Sequence, residues 1–167
     1  MVVDGTMIRA YGGGDASGPS PVDRRKPGTK QTLVVDAHGV PIAIRNVKAN
    51  RNDVNEIIPA VTSVEPIGGK RGRPKTKPKR VLADAGYDSQ SVRKLLNWMG
   101  IKDLIRKRRS DHGSHLGTRR FVVERTIHWL KGVRRIRFRY DKTKTMLDAY
   151  SKLAMIVVCF RILRSIT

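Results

Sequence analysis

The order of elements predicts an α/β fold, a mixed sheet flanked by helices. Two observations carry it. Three strand-like runs come first, and helical and strand runs then alternate to a densely apolar final helix. At 167 residues the chain suits a single domain over 1–167 and is long enough to bury a core.

The opening run places Val2 and Val3 before Asp4, and Thr6, Met7 and Ile8 after it, as a strand does. Gly12–Gly14 breaks that strand, and the polar Gly/Pro segment from Asp15 to Gly28 reads as a loop. Gln31–Val35 and Pro41–Val47 form two further strands around the turn Asp36–Gly39, a hairpin with a four-residue connection. Asn52 or Asp53 caps a helix to about Val64, with Glu56 in capping-box position and Pro59 set to kink or shorten it. Residues 67–80 are a basic loop rich in Gly, Pro, Lys and Arg. Val81–Ala83 is a short strand ending at Asp84. Ser89 caps a helix through Met99 that Gly100 closes. Lys102–Ile105 is another strand, and a basic loop from Arg106 to Thr118 follows. Arg119–Arg139 reads as a helix with Val122, Val123, Trp129, Leu130 and Val133 toward one side. Arg120, Glu124 and Lys131 fall together on the other. The last helix covers about 143–164, and its apolar middle predicts burial on most sides.

The chain holds 35 Lys+Arg against 14 Asp+Glu, a formal net charge of +21 with a pI near 11.1. Such an excess opposes a compact fold unless a polyanion or counterions offset it, and it makes nucleic acid the leading partner. An aromatic content of only 5% argues against a single-strand stacking platform. One cysteine, Cys159, excludes an internal disulfide and suits a reducing cytoplasm. The start shows no secretory signal pattern, and the run Leu153–Phe160 is too short to span a bilayer. His112, His115, His128 and Cys159 make no zinc pattern, and P-loop and GxSxG motifs are absent.

Three acids fall where an α/β sheet gathers its chemistry: Asp4 in the first strand, Asp84 at the end of the fourth, and Glu124 on the helix after the fifth. Carboxylates sharing one crevice repel each other unless cations sit between them. Hard divalent ions with oxygen ligands meet that need, and a pair of them activates water in phosphodiester chemistry. Each acid also has a simpler reading. Asp4 fits a surface position and Glu124 a solvated ion pair with Arg120. Asp84 fits a helix cap, with Asp88 as its rival for either role, and Asp36 belongs to its turn.

Three blocks, VVDGTMIRA (Val2–Ala10), VLADAGYDS (Val81–Ser89) and RFVVERTIHWLKGVRRIRFRYDK (Arg120–Lys142), resemble bacterial insertion-sequence transposases of the DDE class, specifically the "IS five" group. The closing RYDKTKTMLDAYSKLAMIVVC is similar to that group's C-terminal helix. The wider family carries a Tyr-x2-Arg-x3-Glu-x6-Lys signature. Arg120, Glu124 and Lys131 match it, while Gly117 stands at the Tyr position. The resemblance implies a ribonuclease H-like fold in which Asp4, Asp84 and Glu124 meet as catalytic acids. It further implies two magnesium ions on those acids, manganese as a substitute, and Arg120 and Lys131 orienting phosphates. Double-stranded DNA, both element ends and target, is the implied substrate, handled by a homo-oligomer in the cytoplasm at the nucleoid. Family members usually carry a helical region ahead of the first acid. The match therefore implies a catalytic domain without that region, either a truncated copy or a split-frame product with an upstream-frame partner chain.

KRGRPK, with Lys70, Arg71, Arg73 and Lys75, is similar to the core of an A·T minor-groove hook, or else makes sequence-blind phosphate contacts. The expected activity is metal-dependent DNA cleavage and strand transfer at insertion-sequence ends. The competing readings are a non-catalytic basic DNA-binding remnant and a ribonuclease H-like nuclease without strand transfer.

Overall fold

A computed structural model describes residues 1–68, 71–72, 74–75, 77–109 and 116–165, the side chains of 116–119 excepted. The strands are β1 (Val2–Ala10), β2 (Gly18–Pro19), β3 (Pro27–Val35), β4 (Pro41–Lys48), β5 (Arg80–Ala83), β6 (Lys102–Ile105) and β7 (Phe138–Arg139). They build one mixed sheet ordered β4-β3-β1-β5-β6, with β2 beside β3 and β7 beside β1. β3 is antiparallel to its neighbours β1 and β4, whereas β5 runs parallel to both β1 and β6. The helices are α1 (Ile57–Thr62), α2 (Gln90–Trp98), α3 (Leu116–Lys131), α4 (Arg134–Arg137) and α5 (Lys144–Arg164). This is the mixed α/β sheet the element order predicts, in the ribonuclease H-like arrangement.

Side chains alternate across each strand, so the sheet has two cores. Val3, Val34, Val81 and Ala83 face α1 and α2, together with Ile57, Val61, Val92 and Leu96. Val2, Leu33, Val35 and Leu82 face α3, α4 and α5, together with Val123, Leu130, Ile136, Ala154 and Val158.

Several elements depart from the sequence expectation. β3 starts at Pro27, and the short β2 pairs beside it. The helix expected after Asn52 divides into a 3-10 turn, Asp53–Asn55, and α1, with Pro59 in α1's first turn, where its missing donor costs least. Asn52 caps by accepting from the Val54 N–H. Glu56 is not a capping-box acid. It is fully buried and pairs with Arg51 at 3.1 Å and Arg45 at 3.8 Å. Ser89 precedes α2 without a side-chain cap bond, its hydroxyl meeting that of Ser91. At the other end Gly100, at φ 71°, closes α2 as expected. Its N–H reaches Asn97 O, and the Ile101 N–H reaches Leu96 O.

The single helix expected over Arg119–Arg139 is three elements. α3 starts earlier, at Leu116, and stops at Lys131. Gly132 and Val133 lead into α4, and Phe138–Arg139 joins the sheet parallel to β1. Arg139 is completely buried. Its guanidinium donates to Thr29 Oγ1, Asp15 O and Asp141 O, and so ties β7 to β3 and to the glycine-rich loop. The apolar final helix is not buried on most sides. Leu147, Ser151, Ala154, Val158 and Ile162 face the sheet, while Met146, Leu153, Ile156, Phe160 and Leu163 are exposed. Its Thr143 cap accepts from the Met146 N–H. No helix among the described residues is long and apolar enough to cross a membrane.

The hairpin turn between β3 and β4 holds α3 in place. Asp36 accepts from the His38 and Val40 N–H groups, both at 2.8 Å. The buried Thr126 hydroxyl donates to Gly39 O at 2.6 Å, and Arg125 donates to His38 O at 2.7 Å. Gly39 has φ 90°, and a Cβ there would lie 3.0–3.2 Å from Arg125, Thr126 and Val122. Gly39→Ala should therefore lower unfolding free energy by about 1–3 kcal/mol, from left-handed strain plus a displaced α3. Urea unfolding measures this, and an unchanged midpoint would refute the clamp.

Candidate active site

Register places the first two acids. Val2 lies opposite Leu82 across the parallel β1–β5 pair, and both side chains face α3. Asp4 and Asp84 each stand two residues further along, so they share that face and that level of the sheet. The third acid comes down from α3. Val123 and Leu130 bury against the sheet and leave Glu124 at the exposed margin of the same crevice.

Arg120 joins the three. Its guanidinium lies 3.1 Å from Asp84 Oδ1, 3.5 Å from Asp4 Oδ2 and 3.6 Å from Glu124 Oε1. Its side chain is only 17% exposed, while that of Glu124 is 55% exposed. The i,i+4 pair between Arg120 and Glu124 exists, but it is one arm of a three-acid cluster rather than an isolated surface pair. Asp84 does act as a cap, accepting from the Ala85 N–H at 2.7 Å ahead of the 3-10 turn Ala85–Tyr87. Its second role does not exclude the first, because the capping side chain also reaches Arg120. Asp88 is engaged elsewhere. It binds Arg93 at 2.9 Å and accepts from the Arg108 N–H, which holds its carboxyl below the usual range.

Asp4 titrates high. Burial is the largest cause, and the neighbouring charges of Asp84 and Glu124 add to it. The Gly5 N–H and Arg120 pull the other way. The acids therefore feel one another, and a cation between them relieves a real repulsion. Among the described residues, no three carboxylate, imidazole or thiol groups form a ready-made metal cage, since the acids converge on a guanidinium. The donor chemistry is nevertheless all oxygen, which hard divalent ions take.

Lys131 lies two turns along α3 from Glu124 on the same stripe, outside the acid cluster. It lines a cavity of about 470 Å³ with Met7, Arg9, His128 and Arg137. Arg71 and Lys75 are exposed on the basic loop. That loop is closed by two reciprocal backbone bonds between Ile67 and Lys75, each 3.0 Å. Lys70, Arg73, His112 and His115 lie outside the described residues.

Two further residues shape the site from beneath. Tyr87 is buried, its hydroxyl has no hydrogen-bond partner among the described residues, and burial followed by Asp53 and Asp4 drives its pKa far up. A Cβ on Gly5 would come within 3.0 Å of that hydroxyl, so the residue after Asp4 is held to glycine by close approach. The only sequence signal for Tyr87 is an aromatic three residues past a strand-end acid.

The mixed sheet thus brings Asp4, inside β1, and Asp84, just past the parallel β5, together beneath Glu124 of α3. The family model described as "Transposase DDE domain" matches residues 1–157. A Burkholderia cepacia protein named "Putative transposase for insertion sequence element IS402" is 44% identical over 148 residues, covering 89% of this chain and 70% of the relative. The chain belongs to the DDE-domain transposase family of insertion sequences.

Asp4→Asn tests the electrostatics without DNA. A carboxyl raised in the folded state favours folding at low pH, and that contribution is lost as pH rises through its folded pKa. The neutral amide removes the cost. Thermal stability of Asp4→Asn in chelator should exceed wild type at pH 7, and the gain should shrink as pH falls into the carboxylate range. A loss of stability at pH 7 would contradict the assigned cause.

Proposed function

We propose that residues 1–167 act as one catalytic domain for metal-dependent DNA cleavage and strand transfer at insertion-sequence ends. The observation that carries this is the convergence of Asp4, Asp84 and Glu124 on one guanidinium. Transposases act on DNA, and family members generally use divalent metal ions. Asp4, Asp84 and Glu124 would hold magnesium or manganese here. When bound, two such ions activate the attacking oxygen and stabilise the leaving oxygen of an in-line displacement.

The chain's own residues supply the rest. Arg120 offsets the acids' repulsion in the free protein and, when a cation takes over that task, is placed to orient a phosphate oxygen by two N–H donors. Glu124 is the most exposed acid and sits where a DNA strand enters. Lys131 contacts a phosphate further along the strand as a point charge. The basic loop, with Lys70, Arg71, Arg73 and Lys75, adds sequence-blind phosphate contacts. The domain works as a homo-oligomer on DNA at the nucleoid in the cytoplasm, with any end-recognition region supplied by further chain or a partner.

Glu124→Gln keeps size and removes charge. With the chain, a labelled element-end duplex and magnesium, cleavage should fall by orders of magnitude while DNA affinity holds or rises. Undiminished cleavage by the variant, or wild-type cleavage without metal, refutes the mechanism. Joining of cut ends to a second duplex separates a transposase from a nuclease.

Replacing Arg71 and Lys75 with Gln should flatten the slope of log affinity against log salt by roughly one to two, one for each lost phosphate contact. An unchanged slope would remove the loop from the DNA path.

A further inference from the structure

The far end of β1 carries a cluster that the acids do not use. Tyr11 and Tyr140 stack with ring centroids 5.3 Å apart and planes at 19°. Phe138 tilts against Tyr11 at 6.3 Å. The Arg9 guanidinium sits 4.8 Å over the Tyr11 ring, and that of Arg137 sits 5.3 Å over Phe138. Strand alternation explains the arrangement. β7 lies against β1 with Arg139 turned inward and fully buried, which sends the side chains on either side of it, Phe138 and Tyr140, outward. Tyr140 is 60% exposed, so one face of its ring is open to solvent. Few residues of this chain are aromatic, yet three of them meet here beside two arginines.

The cluster stands at the other end of β1 from Asp4 and, by the same alternation, on the other face of the sheet, since Val2 and Asp4 face α3 while Arg9 and Tyr11 share the face of Val3 and Gly5. On its β5/β7 side, β1 pairs with β5 at Val2 and with β7 from Arg9 onward, and the stretch between carries no paired register. The α3 stripe of Arg120, Glu124 and Lys131 runs beside that stretch. A cavity lined by Met7, Arg9, Lys131 and Arg137 brings the last residue of that stripe to the two arginines of the cluster, with none of the acids in its lining. Tyr11 is seven residues beyond Asp4, roughly 23 Å along an extended strand.

We infer that Tyr11 and Tyr140, flanked by Arg9 and Arg137, form a stacking site for an unpaired DNA base. This rests on reading the acid site as DNA-processing. An unpaired base can turn a π face toward the protein, whereas a base inside a duplex is stacked on both faces, so the site selects locally melted or overhanging DNA. The rings are already stacked on each other, so little ordering is required when a base adds to Tyr140. The arginines supply phosphate contacts at the same place. Arg9 also lies 3.9 Å from Asp23, a distance that leaves the guanidinium free to turn toward a phosphate.

The test measures binding in chelator, so it does not depend on cleavage. Two DNAs of one sequence are compared, a blunt duplex and one with a three-nucleotide overhang carrying 2-aminopurine. Wild type and Tyr140→Phe should bind the overhang DNA more tightly than the blunt one and quench the probe. Tyr140→Ala should lose about five- to a hundred-fold in overhang affinity, and the quench with it, while blunt affinity is unchanged. Tyr11→Ala should act in the same direction. If both alanine variants bind overhang DNA like wild type, or if Tyr140→Ala weakens both DNAs equally, the stacking site is overturned. A protein that binds and quenches as expected but never cleaves with metal keeps this inference and loses the catalytic reading. The reverse result removes only the stacking site.

Discussion

Three carboxylates within reach of one guanidinium is the interaction on which the rest of this structure depends. Like charges in a partly buried crevice oppose folding, and the pKa of Asp4 is raised chiefly by its burial, with the charges of Asp84 and Glu124 adding to it. Arg120 offsets them only if α3 lies at a fixed height over β1 and β5. That height is set away from the acids, by the buried Thr126 hydroxyl and Arg125 reaching the turn at His38 and Gly39. The hairpin turn is thus a positioning device for the crevice, although none of its residues touches an acid of the cluster.

The opposite face of the sheet supports the same arrangement. Beneath Asp4, Gly5 leaves room for Tyr87, whose ring packs with α1 and α2. Lys30 is a buried cation within β3, bound to Asp53 at 2.7 Å. Cutting into either layer would let β1 shift against β5, and with it the level at which Asp4 and Asp84 face each other. On the α5 side, Gln31, Asn46 and Ser151 form a buried hydrogen-bonded set that fixes the last helix against β3 and β4. Such a set specifies one docking, because any slip leaves polar groups unpaired.

Charge is partitioned in a way that composition alone does not reveal. Many of the few acids are used inside the protein, as in Glu56 with Arg51 and Asp88 with Arg93. With 35 cations against 14 acids, the surplus is left for the surface and for a polyanion. The crevice is the exception, since there the acids outnumber the cation that holds them.

The sequence by itself determined the class of fold, the bounds of β6 and nearly those of β1, β4, β5, α2 and α5, because alternation, caps and glycine stops are local signals. It also placed Asp4 within the first strand, Asp84 at a strand end and Glu124 on a helix, and spaced Arg120 to pair with Glu124. Local signals failed where partners are distant. Phe138–Arg139 continues a helical pattern but finds β1 as a neighbour, and a buried Arg139 has no signature without Asp15 and Thr29 beside it. Glu56 has capping-box spacing, yet burial against Arg45 and Arg51 takes it. The final helix reads as apolar all round, and only docking shows which side the sheet covers. That Arg120 reaches all three acids, not just Glu124, was decided by the parallel β1–β5 register and the anchoring of α3. Both are contacts between residues some eighty positions apart, which no spacing in the chain encodes.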